Sequence, residues 1–330
     1  MTKNILLSTL IVLLFSACST KEVYEPKQLA HDWDMYEDSE ETILDTSSNV
    51  ALLEENKVLT KEGVIKLSVA KEDRLISKSD GWIISATIDG KVTLVSEKDT
   101  SDIKQIDLKK SIAGASVKGN TLAILFADNE IALYDMQNES FLFKEQGSKF
   151  LAVDSRVVNP FFMRGLALFA TLDGKVIFVN TEKYKRLRTV IVSSEDNFNN
   201  VISLDLVDNK IIAATSYKIL SMAKKEIRVK YEIRDILLDN DTIFIATKQG
   251  EIISLTPELQ VNSKLKFPFA HFYAMTSDDD KLYILEKEGY LIVIDKITFD
   301  YTVHEVDFDG GFVFVADKTF YVDDKKILTK

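Results

Sequence analysis

The 330-residue chain is short of the residues that build crosslinks, metal centres and nucleophilic active sites. Its single cysteine, Cys18, excludes an internal disulfide and a cysteine-built zinc site. Three histidines, His31, His271 and His304, leave little material for a metal cluster or a histidine-based triad. No G-x-S-x-G nucleophile motif and no sialidase-type S-x-D-x-G-x-x-W box occurs. Positive charge is also scarce: 41 Lys and Arg against 52 Asp and Glu give a net charge of −11. Binding nucleic acid through its phosphates needs a basic face, so this balance argues against it. With 4 Pro, 12 Gly and 46% apolar residues, the chain is too apolar for global disorder. These counts predict a non-metal, non-redox protein without a cofactor.

What is present begins at the N-terminus. A basic start (Lys3), an apolar run from Ile5 to Phe15 and the small residues Ser16-Ala17 have the order of a secretory signal, assigned to residues 1–17. The run is too short to span a bilayer of about 30 Å. The only cysteine follows at once, and Ser16-Ala17-Cys18 resembles a bacterial lipobox. That resemblance implies cleavage before Cys18, diacylglycerol on its sulfur and further acylation such as palmitate. More than one acyl chain anchors stably where one is marginal. Ser19, rather than Asp, after the cysteine implies the outer membrane by resemblance to the sorting pattern. A plain secreted protein is the alternative. Residues 18–48 hold many acids, few lysines and no sustained apolar period, so a flexible acidic tether is expected there. Its aromatic cluster of His31, Trp33 and Tyr36 is left open between docking on a partner and docking on the chain's own body.

From about residue 49 onward one pattern recurs: an apolar strand, a tight turn and a second apolar strand. The clearest copies turn at Asp89-Gly90, Asp173-Gly174, Gln249-Gly250 and Glu288-Gly289, where glycine accepts the positive φ of a tight hairpin. Weaker copies turn at Asn56, Asn129, Tyr217 and Lys318. With a further strand before and after most hairpins, the unit is four strands recurring about every 40 residues, the period of a β-propeller blade. Residues 49–330 are therefore expected to form an all-β propeller of eight blades. Seven is the alternative, if the first and last copies merge into one closing blade.

A lipobox cysteine, an acidic segment and Asp-Gly-Lys-Val hairpins together resemble the BamB-like lipoproteins of outer-membrane β-barrel assembly, and the blades resemble quinoprotein-type (PQQ-like) repeats. The docking tryptophans of quinoprotein blades are missing, since only Trp33 and Trp82 occur. The vicinal cysteines that hold the quinone are impossible with one cysteine. The resemblance implies a non-catalytic scaffold, anchored by lipid on the periplasmic side of the outer membrane and monomeric within a complex. Its expected protein partner is the barrel-assembly channel subunit. A propeller enzyme or small-ligand receptor using the central channel, and a scaffold of another envelope complex, are the rivals.

The resemblance also points to links between blades near the middle of the chain as the partner surface. Arg156 and Asn159, in Ser155-Arg156-Val157-Val158-Asn159-Pro160, are the nearest match, with an exposed loop arginine as the plain alternative. Asp196, Phe198 and Asn199 lie in the polar link that follows, where an exposed aromatic suits a contact hot spot. The basic run Lys183–Arg188 reads as a solvated outer strand. Asp278-Asp279-Asp280 lacks the spaced ligands of a calcium loop. His271 reads as a packed residue rather than a base.

Overall fold

The computed structural model describes residues 22–329 apart from residues 40, 68, 309 and 323. Cys18 and the signal segment lie outside the described residues. Eight four-stranded antiparallel sheets follow one another along the chain. Blades 1 to 7 cover residues 43–65, 74–107, 112–146, 161–191, 201–230, 233–266 and 272–305. Blade 8 takes three strands from residues 313–328 and its outermost strand, Tyr36–Asp38, from near the N-terminus. The first strands of most neighbouring blades contact one another, which places these strands innermost around a central channel. The eight-bladed propeller expected from the hairpin repeat is what forms.

Burial explains why the hairpins were visible. Second strands such as Leu122–Phe126 are buried at every position because both sheet faces pack on neighbouring blades. They therefore read as continuous apolar runs. Outermost strands such as Ile103–Asp107 alternate, with one face toward solvent. The core is correspondingly divided among the blade–blade interfaces. One cluster joins blades 2 and 3 through Ile84, Leu94, Leu122, Ile124 and Phe126; another joins blades 3 and 4 through Leu125, Ile131, Phe169 and Ile177.

Seven of the eight expected turns connect the second and third strands of their blades. Lys318 is different: it lies between the first and second strands of blade 8. That blade borrows its fourth strand, so the chain ends one strand early. Tyr36–Asp38 pairs with Lys325–Ile327 and closes the ring, removing the open edge a linear array would leave.

The boundary expected at residue 49 falls too late, and the flexible tether is corrected with it. Tyr24 is buried edge-on against Phe267 and Tyr290. The amides of Ala30 and Trp33 donate to the carbonyls of Val303 and Glu305 along the outermost strand of blade 7. The Trp33 indole N–H donates to the Leu328 carbonyl at 2.9 Å, and Ile43–Thr46 is the innermost strand of blade 1. Few apolar anchors scattered among many acids gave this strap no period to detect.

Candidate functional site

The strands of a blade alternate in direction, so the turns between second and third strands share one face of the disc with the links between blades. This link face and the channel it opens into carry the unusual features of the molecule.

The channel is a cavity of about 700 Å³ lined by every blade except blade 4, whose place is taken by the link that precedes it. Innermost strands have backbone groups without a sheet partner on the channel side, and neighbouring blades satisfy several of them. Ser47 Oγ donates to the Ile76 carbonyl, Ser77 Oγ to that of Ala115, and the Met275 amide to Asp235 Oδ2. Bulges near the start of six innermost strands re-aim single residues; Ile76, Ile202 and Tyr273 point into the cavity this way.

The link 147–160, between blades 3 and 4, enters this channel. Arg156 makes a two-pronged contact with Asp154, Nε to Oδ1 at 2.8 Å and Nη2 to Oδ2 at 2.5 Å. Its Nη1 donates to the Arg234 carbonyl of blade 6 at 2.6 Å. Ser216 of blade 5 donates to Asp154 at 2.8 Å. Asn200 holds the backbone of both residues, donating to the carbonyls of Asp154 and Arg156. On the other side Asn159 Nδ2 donates to Ser48 Oγ of blade 1 at 2.6 Å, and its Oδ1 accepts from the Ala115 amide of blade 3. One link thus ties together blades 1, 3, 5 and 6.

Two carboxyls in this network are displaced in opposite directions. Burial works to raise Asp154, but hydrogen bonds and charge from Arg156 outweigh it and hold the carboxyl down at about 2. Burial pushes the Asp235 carboxyl up to about 6, against the pull of Arg156 and of the Ile236 and Met275 amides. In blade 7, burial also raises Glu286, whose oxygens accept from the His271 and Glu288 amides.

The link residues singled out in the sequence therefore divide. Arg156 and Asn159 are channel struts, not a free docking pair, because every side of the guanidinium fork is engaged or faces Asp235. Asn199 is buried, donating to the carbonyls of Asp173 and Ser193 beneath the Gly174 turn. Asp196 and Phe198 are exposed on the link face. Phe198 is 46% accessible and has a left-handed backbone, φ +52°, a strained conformation for a bulky residue. Its amide donates to the Ala152 carbonyl, which sets it beside exposed Leu151.

Sequence reasoning missed the rest of this surface. Phe269, in the link between blades 6 and 7, is 58% accessible and also left-handed, φ +65°. Phe312 is exposed at the channel mouth and Ile88 at the tip of a blade 2 turn. The signal for Phe269 was Pro268 before it, which marks a turn inside an aromatic run. In the turns of the opposite face, the exposed large apolar residues among those described are Tyr184 and Ile297. The basic run lies where expected, on the outer strand Lys185–Ile191, with Arg186 paired to Glu145 and Arg188 to Glu226. Asp278 accepts from the Asp280 and Lys281 amides and the Tyr283 hydroxyl, the work of a turn acceptor.

No family model matches the chain. Along 99% of its length it is 28% identical to the plasminogen-binding protein PgbB of Helicobacter pylori strain J99, covering 70% of that protein. PgbB of strain 26695 matches to the same extent. Among solved structures, BamB from Moraxella catarrhalis superposes with a TM-score of 0.68 over 88% of this chain and 98% of its own, at 11% identity. The computationally designed Ika8 protein gives 0.61 over 91% of this chain and 99% of its own, at 14% identity. At these identities the likeness is one of fold: the chain is a BamB-like propeller. The quinoprotein-type repeat rests on the hairpin residues alone.

Proposed function

We propose that this chain is a non-catalytic, protein-binding propeller of the cell envelope, held at the periplasmic side of the outer membrane by lipid on Cys18, that docks its partner on the link face. The observation that carries the docking site is that Leu151, Phe198, Phe269 and Phe312 are all exposed in links on that face. Exposed aromatic side chains on a rigid body are the usual anchors of protein interfaces. The strained φ of Phe198 and Phe269 supports a role beyond folding, because nothing in the core needs either ring turned outward. The struts of the 147–160 link across the channel favour a scaffold over an enzyme that would use that channel.

The BamB-like fold supports a partner within β-barrel assembly, namely the channel subunit. A second reading is favoured by PgbB: a surface propeller that captures a host protein such as plasminogen. Crosslinking of the tagged, lipidated protein in membranes, followed by affinity capture, separates the two. Enrichment of the barrel-assembly channel subunit, lost on Phe198→Asp, supports the first. Saturable binding of purified plasminogen with no channel subunit captured supports the second. Capture unchanged by both Phe198→Asp and Phe269→Asp overturns the link face.

A further inference from the structure

The turn Thr87-Ile88-Asp89-Gly90-Lys91-Val92 of blade 2 repeats, almost letter for letter, the turn Thr171-Leu172-Asp173-Gly174-Lys175-Val176 of blade 4. Their environments differ sharply. Leu172 is 4% accessible, whereas Ile88 is 88% accessible. In blade 4 the apolar turn residue belongs to the cluster between blades 3 and 4, against which Phe150, Val153 and Val157 of the preceding link also pack. The corresponding link of blade 2, residues 66–73, is shorter, and among its described residues Leu67 and Val69 are the ones that join its own interface. Blade 1 adds little cover, since its two outer strands, Val58–Thr60 and Gly63–Ile65, have three residues each.

The result is an open groove of about 760 Å³ on the blade 2 face that looks toward blade 1. Strand register sorts its floor into steps. Ile83, Val95 and Ile103 form an apolar row, Ser85, Thr93 and Gln105 a polar row, and Lys91 stands opposite Asp107 at the end. The equivalent face of blade 3, toward blade 2, carries Leu122, Ile124 and Phe126, with no polar row in its second strand. Around the groove stand Glu72, Asp73, Asp89 and Asp107 against Lys91 alone, with Lys109 folded onto Asp107 from outside.

We propose that this groove is a docking site for an extended segment of a partner protein, with apolar side chains alternating with Lys or Arg. The segment takes the place that the link 147–160 takes between blades 3 and 4. Ile103, the exposed end of the apolar row, and Ile88 receive its apolar side chains, and the acidic rim receives its cations. This surface is separate from Phe198 and Phe269 and does not depend on the partner assigned to them.

The test uses the mature chain and a labelled peptide alternating Val and Ile with Lys, followed by fluorescence anisotropy at physiological salt. Saturable binding is expected. Ile103→Asp should weaken it by about tenfold or more, since that side chain's burial is worth 1.5 kcal/mol or more. Asp89→Lys with Asp107→Lys should weaken it too, while Phe198→Asp leaves it unchanged. Both isoleucine and aspartate positions are exposed, and unchanged thermal melts establish that the variants fold. Three results overturn the proposal. One is equal binding by wild type and Ile103→Asp, which would be the diffuse attraction of an acidic surface. Another is equal binding of a peptide with Glu in place of Lys. The third is dimerisation of wild type, abolished by Ile103→Asp, which would make the groove a contact between two copies.

Discussion

Arg156 shows how far one side chain's role depends on partners distant in sequence. Its carboxylate is two positions away, but its other contacts, Ser216 and the Arg234 carbonyl, lie 60 and 78 positions along the chain. Truncation to Ala leaves Asp154 half-buried without its counter-charge, and the expected cost is about 3 kcal/mol of stability, measured by urea unfolding. Arg156→Lys should recover little of it, because an ammonium cannot make the two-pronged contact. The two displaced carboxyls give opposite pH dependences. Asp154 is held at about 2, below its ordinary value, so its contribution is present above about pH 4 and lost as pH falls toward 2. Asp235 is pushed up to about 6, so between about pH 4 and 6 the folded state holds the extra proton and stability declines as pH rises. Above that window the charged, buried carboxylate costs about 3 kcal/mol. Asp235→Asn keeps an oxygen for the Met275 amide and removes the charge. It should raise the melting temperature by a few degrees near pH 7.5 and leave it unchanged near pH 4; an equal gain at both would trace the effect to packing instead.

The hairpins were the legible elements because their requirements are local. Gly250 has φ +76°, and an added Cβ there would lie 2.2 Å from the Phe267 carbonyl oxygen. Gly165 has nearly the same φ, +77°, but open space around it. Gly165→Ala should therefore cost about 1 kcal/mol from backbone strain alone, and Gly250→Ala about 3 kcal/mol or more because the Phe267 backbone must also move. Paired denaturant titrations would show equal losses if the close approach had no consequence. Turns lacking glycine were fainter in sequence but equally formed: Asn129 carries a φ of +71°, which asparagine tolerates. What stayed hidden were elements whose partners are remote. Tyr36–Asp38 has no pattern of its own as a strand, and Trp33 finds its acceptor 295 positions away, at Leu328. Trp33→Ala, which unpins the closing strand, should cost about 3 kcal/mol or more and lower the melting temperature of the whole ring. The 147–160 link was read as a partner surface, with an exposed loop arginine as the alternative, for the same reason: its entry into the channel depends on blades 1, 5 and 6 being in place.

For the whole molecule, the pinned strap decides how an anchor at Cys18 would carry the disc. A free tether of residues 18–48 would let the propeller roam and present any side to the membrane. With Tyr24 buried between blades 6 and 7, the chain from Cys18 can span no more than roughly 20 Å before it is fixed to the rim. Blade 7 is then the part of the ring held near the bilayer, and blade 3, four positions round an eight-bladed ring, is the part held farthest away. The exposed turns at Thr298 and Asn138 occupy equivalent positions in these two blades, each between third and fourth strands. In lipidated protein a dye on a cysteine introduced at either site would have no competing thiol, because Cys18 is the only native one and would be acylated. In vesicles carrying an acceptor lipid, energy transfer from Thr298→Cys should exceed that from Asn138→Cys. Inserting a long Gly-Ser segment before Glu22 should reduce the difference by letting the rim move away from the membrane. Equal transfer from the two sites, with lipidation verified by mass spectrometry, would mean that the strap leaves the rim at the membrane.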